Sequence, residues 1–204
     1  MVRQIEDARN ARSRRTRAAL LSATRELLEE QGFEALTMAA VAERAGISRR
    51  AVYLHFASRA DLVTELFGYL GKTEEIADSL QRVWGSPDAV AALDEWARHL
   101  ARIHPRILAV HRAADRVRRD DPDVAAFWDR AMGNWRAGCA KLVDWLEREG
   151  RLAPGWAPAE AADLLWALMS FDVLEGLLTQ RGWTPERYAE HMARLLRATF
   201  VAPP

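Results

Sequence analysis

The chain has 204 residues, half of them hydrophobic and 28% charged, with 29 Lys+Arg balanced by 29 Asp+Glu and one cysteine, Cys139. That length suits one large domain or a small domain fused to a larger one, and it allows a core of real size. The composition excludes a disordered chain, no uncharged apolar run is long enough to span a membrane, and a lone cysteine excludes an intramolecular disulfide and a thiolate metal cage. The arginine-rich start has no apolar stretch behind it and is no secretory signal, so a cytoplasmic protein is expected. The charge is unevenly placed. Met1 to Arg59 carries 11 Lys+Arg against 7 Asp+Glu, a net +4, and Ala60 to Pro204 carries 18 against 22, a net −4.

Strand patterns are nearly absent, and Ala, Leu, Arg and Glu dominate, so the fold class is all-α with about nine helices. Residues 1–12 read as a basic, flexible arm. Arg9, Arg12, Arg14, Arg15 and Arg17 crowd together across the end of that arm and the residues that follow and can neutralise phosphates, Arg14 and Arg17 foremost. The first helix is expected from Ser13 to Gln31, closed by Gly32. Thr37 caps a short second helix over Met38 to Ala45. Gly46 breaks the chain, and Ser48 caps a third helix over Arg49 to Phe56. Ser58 caps a fourth, from about Arg59 to Asp78.

Further on, Ser86-Pro87-Asp88 starts a helix that reaches about Ile103, and His104-Pro105 interrupts it before a short restart. Asp121-Pro122-Asp123 starts a long helix to Glu149. Ala157-Pro158 starts one that ends before Gly182, and Thr184-Pro185-Glu186 starts the last, to Phe200. The expected domains are a helix-turn-helix DNA-binding domain over 13–58, with its motif at 37–56, and a helical effector-binding and dimerisation domain over 59–204. Residues 59–78 form the connecting helix.

The segment Thr37 to Phe56 carries the chemistry. Two short helices joined at a glycine form the unit that places a reading helix in the major groove of DNA. Val41, Ala42 and Ala45 are small enough for close crossing, while Ile47 and Val52 fill the angle between the helices. Ser48 leaves the N-terminus of the third helix open to a phosphate. Arg49 and Arg50, in that first turn, reach guanine O6 and N7 bidentately or grip phosphates. Tyr53 and His55 follow within reach of phosphates. Tyr53 is expected to turn its ring to the core and offer only its hydroxyl, and Phe56 is expected to be core.

Residues 32–67, with Gly-Phe, Leu-Thr, Val-Ala, Ala-Gly-Ile-Ser, Val-Tyr-Leu-His-Phe and Asp-Leu in order, resemble the DNA-binding domain of the tetracycline-repressor (TetR) family. The resemblance implies phosphate contacts from Thr37, Ser48, Tyr53 and His55, with Arg49 and Arg50 facing bases. Arg59 stands where the family usually has a lysine, which keeps a cation in forked form. Ala39 and Ala40 are short where some members carry longer polar groups, so base reading rests more on Arg49 and Arg50. The resemblance also implies a non-enzymatic regulator, usually a repressor, that binds a pseudo-palindromic duplex as a homodimer and is released by a small molecule.

Behind the head, eight tryptophans are many for this length. Each one reads as core filler or as part of an aromatic-lined pocket for an apolar or planar effector. The candidate pocket residues are Trp96, His99, Leu100, Ile103, His111, Trp128, Met132, Trp135, Trp166 and Met169. The last two long helices are apolar in bands, with Leu164, Leu168, Phe171 and Leu178 on one and Tyr188, Met192, Leu195 and Leu196 on the other. Such faces suit a two-fold four-helix dimer interface. No nucleophile–base pair, carboxylate dyad or metal cluster stands out, so no catalytic residue, cofactor or metal is expected. The rival reading is a small-molecule-binding protein or adaptor that keeps the head fold without binding DNA.

Overall fold

The computed structural model describes residues 2–73 and 76–203. Among them the chain is helical, in the order α1 (Val2–Gln31), a 3-10 turn (Phe33–Ala35), α2 (Met38–Arg44), α3 (Arg49–Tyr53), α4 (Arg59–Thr73), α5 (Ile76–Trp84), α6 (Ala89–Val117), α7 (Pro122–Arg148), α8 (Pro158–Leu168), α9 (Phe171–Glu175), a π-turn (Gly176–Gln180) and α10 (Pro185–Phe200). The chain forms two compact units. One runs to Leu70 and adds Ala109–Trp128; the other takes Gly71–Leu108 and the remainder from Asp129.

Three boundaries differ from expectation. α1 begins at Val2, not near Ser13; the stretch 2–12 holds neither Pro nor Gly, so nothing stops the helix. The described residues of the expected helix over 59–78 are helical, as α4 up to Thr73 and α5 from Ile76, and residues 74 and 75 lie outside the described residues. α6 runs straight through Pro105. A proline inside a helix costs about 3 kcal/mol, and the apolar residues that α6 buries on both sides of it, among them Ala97, Leu100, Ile103, Val110 and Ala113, outweigh that. The helix after Pro158 breaks at Met169 because the Ser170 side chain accepts from the Val173 N–H and caps a new helix, α9.

In the first unit, α2 is tied down at both ends. The Thr37 hydroxyl accepts from the Ala40 N–H at 3.0 Å. At the other end Gly46 has φ +65, and the Gly46 and Ile47 N–H groups return to Glu43 and Ala42 carbonyls at 3.1 and 2.9 Å. This is a Schellman cap, whose left-handed residue favours glycine. Leu20, Leu36, Val41, Val52, Phe56, Leu62 and Leu66 are buried here. Arg44 fastens α2 to α1 through Glu30 at 2.8 Å and Glu26 at 3.3 Å.

The second unit has its own core, built from α5, α6, α7, α8 and α10 and including Leu93, Trp96, Leu142, Leu146, Leu165, Tyr188, Leu196 and Phe200. Thr184 caps α10 by accepting from the Arg187 N–H at 3.2 Å. The buried face of α10 is Tyr188, Ala189, Met192, Ala193, Leu196 and Phe200, a helical period of apolar residues. This corrects the expected dimer set. Phe171, Tyr188, Met192 and Leu196 are at most 6% exposed within their own chain, so they cannot meet a partner. The pattern of an interface and that of a core-facing helix are the same in sequence, and here the core takes it. Leu164, Leu168 and Leu178 stay half-buried and Leu195 is exposed.

Candidate nucleic-acid interface

α3 is short, and its placement follows from its ends. The Ser48 hydroxyl accepts from the Ala51 N–H at 3.3 Å. Val52 and, just beyond the helix, Phe56 anchor it inward at 0% and 1% exposure. The Leu54 N–H donates to the Arg50 carbonyl at 3.3 Å, so the helical turn continues one residue past Tyr53. Arg50 and Leu54 therefore share one face, and Arg49 and Tyr53 the face beside it. All four side chains are exposed. The Tyr53 ring, at 58% exposure, corrects the expectation that it faces the core; Val52 and Phe56 occupy that side. Leu54, at 77%, escaped the sequence reading. The signal was present, because a helix that turns positions 52 and 56 inward must turn 54 outward.

The other expected contacts divide. Thr37 and Ser48 are exposed caps, and Arg12, Arg14 and Arg15 are exposed on α1; the side chain of Arg9 lies outside the described residues. His55 is half-buried, its ring 6.4 Å from that of Phe56. Arg17 pairs with Glu65 and lies 4.8 Å over the Phe56 ring. Arg59 lies 4.1 Å over Phe33 and donates to the Leu36 carbonyl at 3.3 Å. These two arginines hold the unit together as it stands. The Ser58 hydroxyl accepts from the Asp61 N–H, and the Asp61 carboxylate accepts from the Ala57 N–H, fixing the start of α4.

The expected effector residues also divide. His111 and Trp128 belong to the first unit, their rings 4.5 Å apart, with Arg118 over the indole. Trp96, His99, Leu100, Ile103 and Met169 are buried in the second. His99 Nδ1 meets the Ser79 hydroxyl at 2.9 Å, and Arg102 reaches the same oxygen and Glu95. Burial, and then the Arg102 charge, holds the His99 pKa down to about 4. His111 is likewise held down to about 4, chiefly by burial.

A ring cluster joins His104, Trp135, Trp166 and Phe171. His104 stacks on Phe171 at 4.0 Å and meets Trp135 edge-on at 4.9 Å, while Trp135 lies 6.3 Å from Trp166. Trp166 and Met132 also line a cavity of about 370 Å³ with Gly133, Arg136, Asp163 and Ala167. The indole N–H groups of Trp135 and Trp166 are buried without a hydrogen-bond partner among the described residues. Among those residues no group of three His, Cys, Asp or Glu is placed to hold a metal, and no helix is long and apolar enough to cross a membrane.

Two short capped helices crossing at a left-handed glycine, with an arginine pair exposed on the second, define a helix-turn-helix head. Residues 20–66 match the bacterial regulatory proteins of the tetR family, so the head is similar to the DNA-binding head of that family. It is 30% identical over 153 residues to the HTH-type transcriptional regulator EthR of Mycolicibacterium smegmatis, a match that takes in 70% of this chain and 65% of EthR. The chain thus spans just under two thirds of that relative. A transcriptional regulator from Saccharomonospora viridis, solved in complex with choline, has the same fold at a TM-score of 0.77 and 17% identity, over 92% of this chain and 98% of that one. NalD, the secondary repressor of the MexAB-OprM multidrug efflux pump in Pseudomonas aeruginosa, aligns at a TM-score of 0.67 and 24% identity, over 94% of this chain and 98% of NalD.

Proposed function

We propose that this protein is a sequence-specific DNA-binding transcriptional regulator, a repressor released by a small molecule, and that it works as a homodimer in the cytoplasm by binding, without catalysis. The observation that carries the reading is the exposed Arg49–Arg50 pair at the capped start of α3. Arginine forks there read guanine edges, and the hydroxyls of Thr37, Ser48 and Tyr53, the ring of His55 and the arginines of α1 take phosphates. Arg17 and Arg59 serve the head by holding it in shape, and they reach phosphate only by giving up those contacts. The effector is a compact molecule with apolar or cationic surface. The ring cluster of the second unit supports this, since aromatic faces bind both, and so does the choline bound to a protein of the same fold.

Release follows from linkage. An effector that binds better when the two heads are wrongly spaced for successive major grooves, roughly 34 Å apart, must weaken DNA binding by the factor with which DNA weakens it. Mobility shifts of the full-length protein on the DNA beside its own gene test the reading. Binding is expected to be saturable on one duplex and to fall steeply with salt. Equal affinity for every duplex would refute it. Titration of the complex with choline and with apolar amines, read by tryptophan fluorescence, tests the effector class.

A further inference from the structure

We propose that Leu54 is a specificity-determining residue that reads the 5-methyl group of a thymine in the major groove. The inference rests on the DNA-binding reading above and deepens it. Leu54 is 77% exposed, more than Tyr53 at 58% or Leu195 at 45%. An apolar side chain so open to water at the tip of a five-residue helix gains nothing for the fold. It shares a face with Arg50, because its N–H closes the helical hydrogen bond to the Arg50 carbonyl. Whatever surface Arg50 meets, Leu54 meets as well.

Of the base edges in the major groove, the thymine methyl is the apolar one. Four residues of helix advance about 6 Å, close to two base-pair steps. The thymine therefore lies about two steps from the guanine that Arg50 reads. The short side chains of Ala39 and Ala40 place no longer group on α2 to take this role. A protein partner for the same leucine is disfavoured by its setting, since Arg49 and Arg50 flank it and a cationic rim suits the phosphate walls of the groove.

The test uses full-length protein and the duplex it enriches from a random pool. Each thymine within three steps of the Arg50 guanine is replaced in turn by uracil, which removes only the methyl. One replacement is expected to weaken the wild type about fourfold, the worth of one buried methyl-sized group. Leu54→Ala is expected to lose a similar factor on the thymine duplex and to be indifferent to that same replacement. Unfolding midpoints equal to wild type establish that the variant is intact. The proposal is overturned if every replacement leaves the wild type unchanged, or if Leu54→Ala still loses affinity at the same position. If the wild type enriches no duplex, the DNA-binding reading falls and this one with it. Enrichment without methyl dependence removes this inference alone.

Discussion

The Cη2 atom of Trp96 lies 2.8 Å from where a Cβ on Gly138 would stand. The glycine in α7 is thus a seat for an indole from α6. Alanine there gains about 1 kcal/mol of helix propensity. Trp96 is 3% exposed and cannot swing aside, so overpacking, about 1–3 kcal/mol, wins. Gly138→Ala is expected to lower stability by ~1 kcal/mol net. Gly133, in the same helix, has nothing within 4 Å of such a Cβ. Gly133→Ala is expected to raise stability by up to about 1 kcal/mol. Urea denaturation of both variants checks the pair, and a stabilised Gly138→Ala protein would show that the indole yields.

The two kinds of arginine in the head are expected to fail differently. Arg50→Ala should cost about 1–3 kcal/mol on the selected duplex, with little loss on random DNA. Arg14→Ala should weaken both alike and reduce the slope of log affinity against log salt by about one. Titrations at several salt concentrations separate them. Equal losses for Arg50→Ala on both duplexes would assign it to phosphate.

The head was legible because its signals are local. Thr37, Gly46 and Ser48 act within four residues of themselves, and the structure places each cap where the sequence does. The body was not, because its questions are long-range. Nothing near Tyr188 says whether its apolar face meets its own chain or a second copy. His104 and Phe171 stack although far apart in sequence, and Phe171 read as interface for want of that knowledge. Pro105 read as a break because the local cost was visible and the packing that outweighs it was not.

Stability should fall in mild acid. His99 is 4% exposed, bonded to Ser79, and held to a pKa of about 4 against an ordinary 6.5. A histidine with a depressed folded pKa is neutral in the fold and takes its proton in the unfolded chain first. Its contribution is therefore present above pH 6.5 and lost as pH falls toward 4. The full loss is on the order of 3 kcal/mol. His99→Gln, which keeps a polar partner for Ser79, is expected to flatten the profile between pH 6.5 and 5, a window above the ordinary carboxylate range. Denaturation midpoints across that window decide it. His111 contributes with the same sign, so the slope should shrink and not vanish.

The contact of the proposed homodimer is expected to centre on what the core leaves outside. Tyr188, Met192 and Leu196 are spent on the chain's own core, whereas Leu195 on α10 is 45% exposed and Val173 on α9 is 36% exposed. A two-fold axis brings the same residue of both copies near itself, so one charge introduced there counts twice and faces its own kind. Leu195→Glu should leave the fold intact, since an exposed position costs little, and should turn the dimer into monomer. Tyr188→Ala should instead cost about 3 kcal/mol or more of stability, as a large buried ring is lost. Sedimentation velocity with parallel thermal unfolding distinguishes the two. A Leu195→Glu protein that stays dimeric would move the contact elsewhere, to the side of α8 that carries Leu164 and Leu168.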